Sequence, residues 1–568
     1  MRKTVIITSI FIFLATNCLQ AQTKPALYEA VDKEQMNRWV DSVFNRLSLD
    51  EKIGQLFMMT VSPDASARPL VERYINEMKL GGLLFSSGNA VEESRNLNYY
   101  QNLSKVPLFV SFDGEWGLSM RLDNTPRFPK NMMLGAIEDN DLIYRYGEEM
   151  GRECREVGVH INFAPVLDIN VNPENPVIGT RSFGEKRELV AEKGIAYAKG
   201  LESQNIIAVG KHFPGHGDTS DDSHKTLPLI KHDKKRLEEI ELYPFKRFIE
   251  SGFAGIMTGH LAVPALDKTA NRPTSLSSLV VNDLLKKKLG FEGLAFTDAL
   301  AMKGATAVKG SVCVRALLAG NDVLLNAAKP FNEFKLVKKA VQDGFISRAL
   351  IEEKCIKILR YKYIAGLNNY KPIQLLGLEN RINTDYALHL TDELNKAAVT
   401  LLKNHKNLIP FQILERSKIA VVSTGSDTIP EFQNRIMRYC DFVMFNIPSN
   451  ADARTVDSIV EQLKFYKEII ISIHAERPLP FDISPLAEGK EVHLCFCISP
   501  YSIAHYQALV EAAFSVTLAY ENTNGAQNAA AEVILGGIGA KGRLPVTITG
   551  LFEQNHGIFT KANKLSFF

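Results

Sequence analysis

The sequence has no excess of charge of either sign. Lysine and arginine together number 66 against 64 acidic residues, a formal net charge of +2. The basic residues are spread along the chain, so nothing marks a nucleic-acid surface or a polybasic membrane patch. Regular cysteine spacing is also lacking. Beyond Cys18, the residues Cys154, Cys313, Cys355, Cys440, Cys495 and Cys497 follow no periodic or zinc-binding pattern, which argues against a disulfide framework or a zinc site. Cys495 and Cys497 stand two apart in a strand-like run and share a face, which disfavours a bridge between them. All six read as small buried thiols. No run beyond the N-terminus approaches the ~18 apolar residues of a transmembrane helix. No Gly-x-Gly-x-x-Gly turn follows a strand, and no phosphate-binding Gly-Lys-Ser/Thr loop is present, so nucleotide binding is not indicated. Internal repeats and low-complexity tracts are missing as well.

The N-terminus is the one apolar exception. Arg2 and Lys3 precede the run Val5 to Ala15, and Cys-Leu-Gln-Ala-Gln follows at 18–22. This predicts a secretory signal peptide over residues 1–21, cleaved near Ala21, with a periplasmic or extracellular mature protein. The apolar run is short for a membrane anchor. Cys18 offers a lipoprotein alternative, which Asn17 disfavours because it replaces a small residue at the cleavage point. A chain of 568 residues exceeds one ordinary core, so two domains are expected.

From about residue 50, eight short apolar runs alternate with amphipathic stretches: Gln55–Met59, Gly82–Phe85, Leu108–Asp113, Ile161–Val166, Ile207–His212, Gly255–His260, Gly293–Asp298 and Asp322–Asn326. Continuous apolar strands alternating with helices predict a parallel sheet covered on its outer face. Eight such units fit a closed (β/α)8 TIM-like barrel over residues 22–370. Residues 371–390 read as a linker. A second α/β domain, an α/β sandwich with a mainly parallel sheet, is expected over 391–568, with strands at Lys418–Val422, Phe442–Phe445, Glu468–Ile473, Val492–Cys497 and Val516–Tyr520.

Several barrel strands finish in polar residues: Asp113, Asp168 just beyond strand four, Lys211 and His212, His260, Asp298 and Asn326. In such barrels the C-terminal strand ends converge on the active site. One isolated Asp there is usually a cap or turn residue; this many predict a shared polar pocket. The densest stretch is Lys211-His-Phe-Pro-Gly-His-Gly-Asp-Thr-Ser-Asp-Asp-Ser-His224, with three histidines, one lysine and three aspartates. Pro214, Gly215 and Gly217 exclude a regular helix, and titratable irregular loops of this kind carry function. Asp222 and His224 are close enough for the carboxylate to orient the imidazole and favour imidazolium. His224 then suits donating a proton near neutral pH and accepting one later. Asp298 after strand seven suits a nucleophile. A rival reading makes His212, His216, Asp222 and His224 metal ligands. The positive charge of Lys211 beside them, and ligands drawn from one loop only, speak against it. His216 and His260 are expected to shape the loop or wall.

At these residues the chain resembles glycoside hydrolase family 3, in particular its bacterial β-N-acetylglucosaminidases (β-hexosaminidases). Lys211-His-Phe-Pro-Gly-His-Gly-x4-Asp222-Ser-His224 carries the resemblance most specifically. Phe112-Asp-Gly-Glu-Trp-Gly-Leu-Ser-Met-Arg121, Asn162-Phe-Ala-Pro-Val-Leu-Asp168, Asn175-Pro-Val-Ile-Gly-x-Arg-Ser-Phe-Gly184 and Phe296-Thr-Asp-x-Leu-x-Met302 resemble further blocks. Thr400-Leu-Leu-Lys-Asn404, Leu408-Ile-Pro410 and Gly536–Pro545 do so in the second domain. The resemblance implies a retaining exo-β-N-acetylglucosaminidase acting on cell-wall fragments such as muropeptides or on related glycans, without metal or organic cofactor. Asp298 matches the nucleophile, and His224 with Asp222 the acid/base pair, a departure from the usual two carboxylates. Asp113, Arg121, Arg181, Lys211 and His212 match residues that hold the terminal sugar. A β-glucosidase of the same family and an inactive glycan-binding protein are the alternatives; the Asp222–His224 pair argues against the first and the intact Asp298 against the second. One segment departs from the family: Trp116-Gly-Leu-Ser-Met-Arg121 stands where Gly-Gly-Arg-Val-x-Arg is common, which bears on leaving-group preference.

Overall fold

The computed structural model describes residues 24–62, 64–223, 225–306, 308–411 and 418–563. The expected signal peptide lies outside the described residues, and so does His224. Among the described residues, no helix is long and apolar enough to cross a membrane.

Eight strands form one sheet in which order in space follows order in sequence. They are β1 (Phe57–Val61), β2 (Gly82–Phe85), β3 (Phe109–Phe112), β4 (Ile161–Asn162), β5 (Ile207–Phe213), β6 (Gly255–Thr258), β7 (Leu294–Thr297) and β8 (Leu324–Leu325). Every neighbouring pair is parallel, from Met58 beside Gly82 to Met257 beside Phe296. The ring closes in two places. β8 pairs with β1 through Leu324 and Phe57, and Phe296 bridges to Val323, with Thr297 N–H donating to the Val323 carbonyl at 3.0 Å. β2, β3, β5, β6 and β7 are buried along their whole length. This is why their sequences are continuously apolar and do not alternate.

Helices cover the outside. Two of them, Asn140–Glu156 and Arg187–Ser203, approach closely because glycines face each other. A Cβ on Gly147 would lie 2.1 Å from the Tyr197 carbonyl, and one on Gly200 would lie 2.2 Å from that of Tyr144.

Two strands differ from expectation. β1 starts two residues later than Gln55, because Leu49–Gly54 is a helix with a capping box between Ser48 and Glu51, and the Gln55 N–H still closes its last turn onto Glu51. β8 is shorter than Asp322–Asn326. Asp322 is buried outside the strand and accepts from three lysines, Lys286 at 2.9 Å, Lys354 at 3.1 Å and Lys357 at 2.9 Å.

The second sheet contains β9 (Thr400–Asn404), β10 (Ile419–Thr424), β11 (Val443–Ile447), β12 (Glu468–Ile473), β13 (Glu491–Phe496) and β14 (Ser515–Leu518). Their order is β9-β14-β13-β12-β10-β11. Only β9 runs antiparallel, along β14; the other pairs are parallel. The stretch read as a linker is largely helical, with Leu378–Ile382 and the start of Asp385–Ala398. The latter helix meets the barrel side through Glu393, 2.9 Å from Arg145. All six cysteines beyond Cys18 are buried and free.

Candidate active site

The C-terminal strand ends surround a cavity of about 570 Å³, lined among others by Asp113, Glu115, Arg121, Arg181, Lys211, His212, Ser223, Asp298 and Asn326. Several of these positions lie where a buried apolar strand stops, whereas Arg121 and Arg181 come from short turns in the loops. Asp113 follows β3, Lys211 and His212 lie near the end of β5, and Asp298 follows β7 directly.

A continuous ion-pair chain crosses the floor. Arg121 Nη2 lies 3.0 Å from Asp113 Oδ2, and Lys211 Nζ lies 3.0 Å from Asp113 Oδ1. Lys211 also reaches Glu115 Oε1 at 2.8 Å. Glu115 in turn receives Arg181 in a fork, Nε at 2.9 Å and Nη2 at 2.7 Å. Three cations thus share two carboxylates. Burial works to raise Glu115, but Arg181 and Lys211 hold it far below the usual carboxylate range. Burial opposes ionisation of Asp113 in the same way, and Lys211 and Arg121 overcome it. The surplus positive charge and the donor geometry suit hydroxyls and developing negative charge. Among the described residues, Arg121 Nε is buried with no hydrogen-bond partner.

Asp298 faces this chain. Its backbone N–H joins the barrel through Thr258 O at 3.0 Å, and its Oδ1 accepts from the Ala299 N–H at 2.7 Å. Burial would raise its carboxyl; the imidazoles of His260 and His212, the Ala299 N–H and Lys211 hold it below the ordinary value. It is therefore an anion at neutral pH. His260 sits behind it, its Nε2 donating to Ala299 O at 3.1 Å and its Nδ1 2.6 Å from Ser275 Oγ. Burial lowers the His260 pKa, and the neighbouring Asp298 carboxylate opposes that shift.

His212 is oriented from below. Its Nδ1 is 2.7 Å from Asp168 Oδ2, which leaves Nε2 for the cavity. Asp168 was expected in the shared pocket; it is instead wholly buried. Its Oδ1 accepts from the backbone N–H of His212 at 3.1 Å and of His216 at 2.7 Å. The loop then turns through Gly217, where a Cβ would fall 1.8 Å from the Ile169 carbonyl. His216 stands 2.9 Å from Thr219 Oγ1 and 3.1 Å from Ser223 Oγ through its two ring nitrogens. Burial pushes its pKa down to about 4. With both nitrogens engaged, His216 is a loop brace, and the metal reading loses one of its four ligands. Among the described residues, the group suited to an ion is Asp218, His232 and Glu241, and there Arg236 pairs with both carboxylates. Asp222, about a quarter exposed, lies 3.7 Å from Lys225 Nζ. Ser223, between Asp222 and His224, lines the cavity.

The model of the glycosyl hydrolase family 3 N-terminal domain matches residues 48–361, over half of the chain. The chain belongs to glycosyl hydrolase family 3. This family 3 glycoside hydrolase is 27% identical to beta-hexosaminidase A of Pseudoalteromonas piscicida, over 86% of this chain and 92% of that protein. It is 28% identical to a beta-N-acetylglucosaminidase/beta-glucosidase of Cellulomonas fimi, over 66% of this chain and 68% of the other. Among solved structures, a family 3 beta-N-acetylglucosaminidase from Paenibacillus sp. superposes with a TM-score of 0.76 at 29% identity, covering 89% of this chain and 99% of that one.

Glu115 lines the cavity and is a residue that sequence reasoning left without a role. Its signal was available, as an acid two residues beyond Asp113 after β3, but its partner Arg181 lies 66 residues away. Within the segment that departs from the family pattern, Met120 lines the cavity. Trp116 is half-buried, with Lys130 Nζ 5.4 Å from its ring centre.

Proposed function

We propose that the protein is a retaining exo-β-N-acetylglucosaminidase. The observation that carries the reading is Asp298, an ionised carboxylate at a barrel strand end, facing a cavity lined by Arg121, Lys211 and Arg181. The relatives named above support the substrate class. In the first step an Asp298 oxygen attacks the anomeric carbon. The bond to the leaving oxygen breaks, and His224 imidazolium supplies the proton that this oxygen takes up. In the second step water attacks the same carbon, its proton returns to His224, and the Asp298 carboxylate departs. Asp222 orients and charges the imidazole. A neutral imidazole adds no negative charge beside Asp298 while it waits for water. Asp113, Arg121, Arg181, Lys211 and His212 hold the hydroxyls of the terminal sugar.

The Cellulomonas fimi relative, named for both activities, keeps a β-glucosidase as the second reading. A panel of chromogenic β-N-acetylglucosaminide and β-glucoside decides between them. Specificity for the acetamido sugar of roughly tenfold or more in kcat/KM is expected, on the scale a few pocket contacts supply; preference for the glucoside overturns the first reading.

We assign export to the protein on the signal-peptide reading of residues 1–21, which would let it meet terminal β-linked N-acetylglucosamine on cell-wall fragments or related glycans outside the cytoplasm. N-terminal sequencing of the mature protein is expected to begin near Gln22. A mature chain that retains Met1 contradicts export by cleavage.

A further inference from the structure

We infer that the second domain sets the shape of the sugar-gripping loop after β4, and that Tyr501 is the positioning residue through which it does so. The inference rests on the reading that Arg181 grips the sugar.

Between β4 and the helix Arg187–Ser203, the only regular structure is one short turn, Gly179–Arg181. Its shape comes from a few local backbone bonds, such as Arg181 N–H to Ile178 O at 2.8 Å, and from side-chain hydrogen bonds. Asn170, which is 1% exposed, supplies the central one. Its Oδ1 accepts from the Gly179 N–H at 3.0 Å, at the start of the turn that presents Arg181. Its Nδ2 donates to Asn172 O at 3.1 Å and to Tyr501 Oη at 2.7 Å. Both amide N–H groups are thus used, and one of the three bonds comes from the second domain. Losing the Tyr501 hydroxyl leaves a buried N–H one partner short, and the orientation that serves Gly179 loses its outer support.

The far foot of the loop stands on the same domain. The Glu185 N–H donates to Pro545 O at 3.2 Å. The Glu185 carboxylate accepts from Thr547 N–H at 2.8 Å and Thr547 Oγ1 at 2.6 Å. Contact is direct at backbone level, since a Cβ on Gly184 would lie 2.6 Å from Pro545 O. Among the described residues, none from the second domain lines the catalytic cavity. Its contribution is to hold the loop, and through it the fork between Arg181 and Glu115.

The test compares full-length wild type, Tyr501→Phe, Asn170→Ala and the double variant. Each is assayed on whichever glycoside the wild type hydrolyses fastest, so a wrong substrate assignment shows in the wild type and leaves this comparison intact. Tyr501→Phe is expected to raise KM roughly five- to twenty-fold, the scale of one buried hydrogen bond, with kcat within about two-fold and a melting temperature lowered by only about a few degrees. The double variant should resemble Asn170→Ala alone, because both changes break one chain of contacts. A KM within two-fold of wild type, a loss confined to kcat, or additive effects of the two changes overturns the proposal. Should Tyr501→Phe fail to fold, Thr547→Val, which removes the hydroxyl donor to Glu185 and the acceptor of the Gln554 N–H, carries the same test: raised KM supports the proposal and unchanged KM overturns it.

Discussion

Asp298→Asn is expected to lower kcat by roughly 10⁴-fold or more, the scale on which enzymes lose a covalent nucleophile, equivalent to about 5 kcal/mol of transition-state stabilisation. The amide keeps the volume of the carboxylate, and its Oδ1 can still accept from the Ala299 N–H, which now holds the carboxylate at 2.7 Å. What is lost is the negative charge. In the native site that charge is maintained against burial by His260, His212 and Lys211, so the surroundings are arranged for an anion. Steady-state assay together with a thermal melt checks the outcome. A variant that stays folded and retains more than about a tenth of the wild-type kcat contradicts the assignment.

Glu115→Ala is expected to be the most destabilising single change at the site, by about 3–5 kcal/mol, the cost of removing one member of a buried ion cluster and leaving its partners uncompensated. Glu115 is 1% exposed and accepts the fork of Arg181 while also pairing with Lys211. Removing it leaves two cations, with Arg121 beside them, sharing only Asp113. Glu115→Gln keeps the shape and should recover part of the loss, because its amide oxygen can still accept one bond. Urea unfolding measures both variants, and a loss below about 1 kcal/mol for Glu115→Ala rejects the cluster as a stabilising element. The same depressed carboxyl predicts acid sensitivity of the wild type. A carboxyl whose pKa is lower folded than unfolded contributes fully above its unfolded value. That contribution fades as pH falls through the carboxylate range towards the folded value. Glu115, Asp113 and Asp322 all shift in that direction.

The barrel was readable because its strands are buried on both faces and so appear as unbroken apolar runs. Their ends were readable because a run such as Leu294–Thr297 stops abruptly at Asp298. What the runs conceal is which polar residue faces the cavity and which lies behind it. Asp168 and Asp113 look alike in sequence, yet one is a buried anchor for His212 and the other lines the cavity. Only packing distinguishes them. Asp322 looked like the start of a strand, and its burial is possible only because Lys286, Lys354 and Lys357 converge from elsewhere in the chain. β9 escaped notice as a strand because Thr400–Asn404 begins two residues after a helix ends and is polar at both ends. Its pairing with β14 is a long-range event without a local turn signal. The role of Glu115 was hidden for the same reason. Its neighbours in space, Arg181 and Lys211, come from the loop after β4 and from β5. The Asp222–His224 pair, by contrast, was read from two-residue spacing and family resemblance.

In the proposed mechanism Asp298 becomes covalently bonded to the sugar. The most direct measurement is mass spectrometry of a digest after inactivation with a fluorinated β-N-acetylglucosaminide whose glycosyl-enzyme turns over slowly. The account predicts one glycosyl adduct, on the peptide containing Asp298 and mapped to that residue. Inactivation with the adduct on a different residue, or with no adduct at all, would contradict it.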